Sequence, residues 1–197
     1  MDRELFIIAG LGNPGREYVN TRHNLGFITV DRIAERWGTI IKRKKFNALT
    51  EDCFFAGAKV ILIKPQTYMN LSGQSLREAF DFYKISTTNL IVIYDDIDIP
   101  TGSLRIRKSG GPGTHNGMRS VVSSLCTDNF PRIRIGTGRS QAETDLTRYV
   151  IGEFTKKEVP LLENAVDHAA DACETIIKTG IDMAMNKYNI RVSKGDA

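Results

Sequence analysis

The sequence predicts an α/β fold: a single domain with a twisted, mixed β-sheet flanked by helices and a C-terminal helical segment. Three observations carry this. Short apolar runs of strand type alternate with segments whose apolar residues recur at i, i+3, i+4 and i+7. Two runs in the first half are joined by a tight turn, which adds antiparallel pairing to an otherwise crossover-connected sheet. The last quarter reads as a long amphipathic helix and a short one before a polar tail. With 197 residues and 41% hydrophobic content, the chain has material for one core, and one domain over 1–197 is expected.

The elements follow in order. Leu5–Leu11 is a buried-type strand running into Gly10-Leu11-Gly12-Asn13-Pro14-Gly15. Val30, Ile33, Ala34 and Trp37 mark a helix closed by Gly38. Phe46–Phe55 and Lys59–Lys64 read as a hairpin about Ala56-Gly57-Ala58. Leu76, Ala79, Phe80 and Tyr83 repeat the helical spacing, with Ser72 or Asn70 as expected N-cap. Leu90–Tyr94 is a strand stopped by Asp95-Asp96 and Pro100, and Leu104–Arg107 alternates like a half-exposed strand. Met118, Val121, Val122 and Leu125 form a third helical stripe, and Arg132–Gly136 alternates as a further strand. Val159 to Ile177 carries a long amphipathic pattern ended by Gly180, and Ile181–Tyr188 adds a short helix before a polar tail.

Composition narrows the function classes. No apolar run approaches the roughly 18 residues a membrane span needs. The start Met1-Asp2-Arg3-Glu4 has neither the basic lead nor the apolar length of a signal peptide. Cys53, Cys126 and Cys173 are far apart, which disfavours a disulfide framework or zinc site and suits a reducing cytoplasm. The net charge of +4 is mild. Its distribution is more telling: Lys42–Lys45, then Arg105, Arg107 and Lys108, then Arg132, Arg134 and Arg139. These are solvated surface if dispersed, and a phosphate footprint if they converge.

Gly10-x-Gly12-x-x-Gly15 matches the dinucleotide fingerprint in letters but not in context. Pro14 interrupts it, no helical stripe follows at once, and no strand with an acidic end lies about 20 residues on. A tight turn exposing Asn13 explains the glycines better. Of the histidines, His168 lies on the long helix among Asp167 and Asp171 and reads as a partly exposed surface residue. His23 and His115 lie instead in polar loops, Thr21-Arg22-His23-Asn24 and Gly113-Thr114-His115-Asn116-Gly117, where α/β folds place functional groups. Asp95-Asp96-Ile97-Asp98 follows a strand. It can cap a turn, hold Mg²⁺, or orient a histidine by fixing its tautomer and raising its basicity. No metalloprotease spacing and no Gly-x-Ser-x-Gly elbow occurs.

Five blocks in order then resemble the bacterial-type peptidyl-tRNA hydrolase family. They are Gly10–Gly26 with Tyr18, Thr21-Arg22-His23-Asn24; Lys64–Gly73 with Tyr68-Met69-Asn70; Asp95–Gly102; Gly110–Gly117; and Arg132–Gly138. Pro112 and Thr114 stand where the family shows small residues, and Tyr68 replaces a common Phe. The resemblance implies hydrolysis of the ester joining a peptide to the terminal ribose of tRNA. His23 would be the base and Asp95 its orienter. Asn70 and Asn116 would bind substrate, Asn13 would help tell N-blocked from free aminoacyl-tRNA, and Tyr18 and Tyr68 would be contacting aromatics. Arg105, Arg107 and Lys108 are the candidates for tRNA phosphates. An ester has a tolerable leaving group, so one base and oxyanion donors suffice. Neither metal nor cofactor is called for. The partner is peptidyl-tRNA, with no membrane and no obligate protein partner, for a cytoplasmic monomer. Rival readings are a non-catalytic RNA-binding protein and a Mg²⁺-dependent phosphoester enzyme using Asp95, Asp96 and Asp98.

Overall fold

A computed structural model of the protein describes residues 4–139 and 145–189; the start 1–3 and the polar tail from 190 lie outside the described residues. Seven strands form one sheet: β1 (Leu5–Gly10), β2 (Arg43–Lys45), β3 (Ala48–Phe55), β4 (Ala58–Pro65), β5 (Leu90–Asp96), β6 (Leu104–Arg107) and β7 (Arg132–Gly136). Their spatial order is β2-β3-β4-β1-β5-β7-β6. The middle four strands are mutually parallel, while β2, β3 and β6 add antiparallel pairs at the flanks. The sheet is therefore mixed, as expected.

Pattern and position agree. β1 and β5 are covered on both faces, which is why they read as unbroken apolar runs rather than as alternation. The expected hairpin is β3 and β4, joined through Ala56 and Gly57. Both have positive φ, as a two-residue turn matched to strand twist requires. Helices α1 (Leu25–Arg36), α5 (Val159–Thr179) and α6 (Ile181–Tyr188) cover one face, packing Val30, Ile33, Ala169 and Ile176 on Phe6, Ile8 and Ile93. Helices α2 (Ser72–Tyr83) and α3 (Asn116–Leu125) cover the other, packing Leu76, Ala79, Met118 and Val121 on Ile7, Ile63 and Val92. Among the described residues no helix is long and apolar enough to cross a membrane.

Several local expectations are revised. Neither Ser72 nor Asn70 caps α2. Ser72 is its first residue, and its hydroxyl donates back to the Met69 carbonyl at 2.9 Å. Helix α3 is capped by His115, whose Nδ1 accepts from the Met118 N–H at 3.2 Å. A short helix α4 (Leu146–Val150), capped by Asp145, had no periodic signal because five residues carry too few apolar positions to show one. The basic run Arg43–Lys45 is the edge strand β2, where charge discourages pairing with other chains. It lies at the opposite edge from β6, roughly 29 Å away at normal strand spacing. The basic clusters therefore do not converge on one spot.

Candidate active site

Parallel strands β1 and β5 end side by side, and the chain leaving β1 loops through residues 11–24 before α1 packs back against the strand end. Gly10 and Gly26 permit this approach: a Cβ on Gly10 would lie 2.1 Å from the Gly26 carbonyl oxygen. A larger residue at either position would push α1 off the sheet. The turn Arg22–Asn24 before α1 is thereby held over the end of β5.

At that point His23 meets Asp95. Its Nδ1 lies 2.9 Å and 3.0 Å from the two carboxylate oxygens. His115 reaches the same carboxylate, Nε2 to Asp95 Oδ1 at 3.0 Å. The partners fix the tautomers. His115 Nδ1 accepts from the α3 backbone, so its Nε2 carries the proton given to Asp95. His23 donates from Nδ1, which leaves Nε2 with a lone pair and no partner among the described residues.

Asp95 is 1% exposed. Burial alone would raise its carboxyl, but the two histidines override this and hold it well below the ordinary range, so it stays ionised. For His23, burial lowers the ring pKa, while the Asp95 charge and hydrogen bond outweigh it and give a net rise. These three residues line a cavity of about 170 Å³. Its walls are the Asp96–Asp98 turn, the Gly111–Asn116 loop and Leu146, Thr147 and Val150 of α4.

The other candidate residues divide into groups. Asn13 does not project from its turn; it is buried and cross-linked. Its N–H donates to Asn24 Oδ1 at 2.8 Å, and its carbonyl accepts from Asn24 Nδ2 at 3.0 Å. Its side-chain Oδ1 accepts from the Met69 N–H at 2.8 Å. A backbone N–H faces only an acceptor, so the Asn13 amide orientation is fixed and Nδ2 is the group left for a substrate. Asn24, absent from the expected site, thus ties Asn13 to the His23 turn; nothing in its sequence context marked it out.

The Asn13–Met69 bond also positions Tyr68 and Asn70. Tyr68 is 54% exposed, with φ 59° and ψ 161°, a region nearly confined to glycine. Such strain costs about 1–3 kcal/mol and persists only where surroundings impose it. Here the Tyr68 carbonyl accepts from Leu71 N–H at 3.1 Å while Met69 is held by Asn13. Asn70 is exposed, and Asn116 is the exposed first residue of α3. A Cβ on Gly117 would lie 2.4 Å from the Met69 sulfur, so glycine there brings Asn116 beside the Met69–Asn70 turn. The three asparagines and His23 are thus gathered together. Tyr18 is half-buried in a turn whose carbonyl accepts from Thr21, and no side-chain partner of Tyr18 occurs among the described residues.

Arg105, Arg107 and Lys108 lie away from the cleft on edge strand β6 and just beyond it. Arg105 donates to the Asn189 carbonyl and Lys108 pairs with Asp182 at 2.7 Å, whereas Arg107 is exposed. Of the other basic segment, Arg132 is buried and donates to the Gly110 and Asp128 carbonyls, shaping the glycine-rich loop. Arg134 pairs with Asp96 and Arg139 with Asp98, each at 2.6 Å. That arrangement disfavours Mg²⁺ on the acidic run, since each carboxylate is already matched to a separate cation or histidine pair. The ligand atoms of His23, Asp95 and His115 lie within 4.8 Å of one another, a spacing a metal could use. Their direct N–H to carboxylate contacts, however, point ring protons, not lone pairs, at the shared centre.

Comparison with known proteins gives the family. The family model described as Peptidyl-tRNA hydrolase matches residues 7–196. The chain is 55% identical over 185 residues to a peptidyl-tRNA hydrolase of Alkaliphilus metalliredigens, covering 94% of this chain and all of that one. It is 47% identical over 188 residues to that of Bacillus subtilis, covering 95% and 100%. The solved peptidyl-tRNA hydrolase of Acinetobacter baumannii superposes with a TM-score of 0.90 at 35% identity, over 97% of this chain and 98% of that one. With a family model over residues 7–196 and relatives about half identical across some 94% of its length, the chain belongs to the peptidyl-tRNA hydrolase family.

Proposed function

We propose that His23 Nε2 takes a proton from water as that water attacks the ester carbon of peptidyl-tRNA, and returns it to the ribose oxygen as the ester C–O bond breaks, releasing peptide and tRNA without a metal or cofactor. The observation that carries this reading is the buried Asp95 carboxylate receiving His23 Nδ1–H at 2.9 Å, which leaves Nε2 basic on a side chain that lines the cavity. Asp95 stabilises the imidazolium that forms, and His115 donates to the same Asp95 oxygen, Oδ1, that receives His23. Asn13 Nδ2, Asn70 and Asn116 supply amide donors for the peptide carbonyl and the developing oxyanion. Tyr18 and the exposed Tyr68 are the aromatics offered to the substrate. Incubation with N-acetyl-aminoacyl-tRNA in the presence of EDTA tests the reading: release of the acyl group should be undiminished, and full inhibition by EDTA would point to a metal enzyme.

The tRNA path follows the β6 edge. Register aligns Leu104 with Ile135 and that with Asp95, whereas Arg107 aligns with Arg132 and Val92. Arg107 is therefore about 10 Å further from the reacting end of the sheet, a distance suited to phosphates behind the terminal nucleotide. Arg107→Glu should raise KM for whole tRNA substrates and reduce the salt slope by about one unit, with kcat nearly unchanged. A short ester lacking the tRNA body should respond equally only if Arg107 supports the fold instead. In this reading the chain works in the cytoplasm as a one-domain monomer over 1–197 that needs no protein partner.

Selectivity falls to Asn13. Its free Nδ2 offers a donor to the carbonyl of an N-blocked amino group and nothing to a bare ammonium. A site left with unmatched polar groups rejects the wrong substrate by up to about 10⁴-fold. Asn13→Asp keeps the acceptor for Met69 N–H but replaces the donor by negative charge. The preference for N-acetyl-aminoacyl-tRNA over its unblocked counterpart should then fall at least tenfold, by about 1.4 kcal/mol or more. Equal loss on both substrates would make Asn13 a turn residue only.

A further inference from the structure

Arg22 adjoins the base in sequence, yet its side chain turns away from the cavity and is nearly inaccessible. Nη2 lies 2.6 Å and 2.9 Å from the two Glu158 oxygens. Nη1 donates to the carbonyls of Glu153 at 3.0 Å, Gly152 at 3.2 Å and Tyr149 at 3.3 Å. The guanidinium lies 4.3 Å over the Tyr149 ring, and the Tyr149 hydroxyl donates to the Thr137 carbonyl at 2.8 Å. Backbone pairing adds to this stitch: Arg22 N–H to the Gly152 carbonyl, Phe154 N–H to the Asn20 carbonyl, and a bridge between Thr21 and Glu153.

The place of these bonds gives them a consequence for the site. The carbonyls that Arg22 collects lie at and just after the C-terminal end of α4, a helix of five residues that is too short to be stable alone. The opposite side of α4 presents Leu146, Thr147 and Val150 to the cavity of His23. One guanidinium therefore joins the cover of the cleft to the turn that carries the base. We propose that Arg22, anchored by Glu158, is a positioning residue that holds α4 and the His23 turn as one unit, so that His23 is aligned only with the cover in place. This rests on the reading of His23 as base.

Arg22→Lys keeps the charge, but three donors on a mobile ammonium cannot serve a carboxylate and three carbonyls in one plane. Kcat on N-acetyl-aminoacyl-tRNA should fall about 10–100-fold with KM little changed. The NMR resonance of His23 Nδ1–H, a direct signature of its bond to Asp95 that needs no substrate, should broaden or shift upfield. Glu158→Gln should give a smaller change of the same pattern, and it carries the test if Arg22→Lys does not fold. Arg36→Gln, which removes exposed pairs to Asp167 and Asp171 between α1 and α5, should leave kcat and resonance unchanged. Folded Arg22→Lys or Glu158→Gln with a lowered Tm but wild-type kcat and resonance would overturn the proposal and leave only a structural staple. A displaced resonance together with a fully active His23→Ala would instead remove the base assignment and leave the positioning intact.

Discussion

Replacement of His23 by alanine should lower kcat by about 10²–10⁴-fold, the usual worth of a general base, with substrate affinity little altered. Affinity is expected to persist because the groups proposed to bind substrate are held independently of the ring. Asn13 is fixed by Asn24 and Met69, and Asn116 by the start of α3. Single-turnover hydrolysis of N-acetyl-aminoacyl-tRNA, with binding measured separately, separates the two quantities. A variant that retained more than about a tenth of the wild-type rate would lie outside the general-base range and remove His23 from that role.

Asp95→Asn should come close to the same loss. A solvent-open orienter would tolerate an amide. The buried double acceptor does not permit one. His23 and His115 both give protons to this carboxylate, and both Asp95 oxygens lie within 3.0 Å of His23 Nδ1. His115 shares Oδ1 with His23, and Oδ2 faces His23 alone, so whichever way an amide lies its NH₂ group comes within 3.0 Å of His23 Nδ1. That contact favours moving the His23 proton to Nε2, where the base disappears; the equivalent exchange in a Ser-His-Asp triad costs about 10⁴-fold. Residual activity carries a second signature. Burial of the His23 ring persists while the charge that raised its pKa is gone, so the acid limb should move to lower pH than in the wild type. An acid limb that stayed in place would detach Asp95 from the titration of the base.

The features legible in the sequence are those written in local patterns. β1 and β5 appear as apolar runs because both faces are covered, and α5 as a 21-residue stripe because one side meets the sheet. His23 and Asp95 stand out because each is polar, lies at an element end and falls within an ordered block. His115 was visible as a loop histidine, but its bond to Asp95 depends on its acting as the α3 cap, a place where Ser, Thr, Asp or Asn is the expected residue. Asn13 read as exposed because a glycine-rich turn gives no sign that Asn24 and Met69 will enclose it. The Arg22–Glu158 pair spans 136 positions, and nothing in either neighbourhood announces a contact made by tertiary packing alone. The basic clusters were equally silent about geometry, since strand order puts β2 and β6 at opposite edges.

The claim that His23, poised by Asp95, is the base is tested most directly by one paired titration. The pH dependence of kcat/KM for N-acetyl-aminoacyl-tRNA reports the essential base of the free enzyme, and NMR of the His23 ring reports its protonation without substrate. With the His23 pKa raised, the base is protonated below that value, so activity should fall with slope one as pH drops through it. The kinetic limb and the ring titration are expected to coincide, both above the ordinary histidine value of about 6.5. A kinetic limb that departs from the His23 titration, with the ring already neutral where activity is lost, would contradict the account and assign the proton transfer to another group.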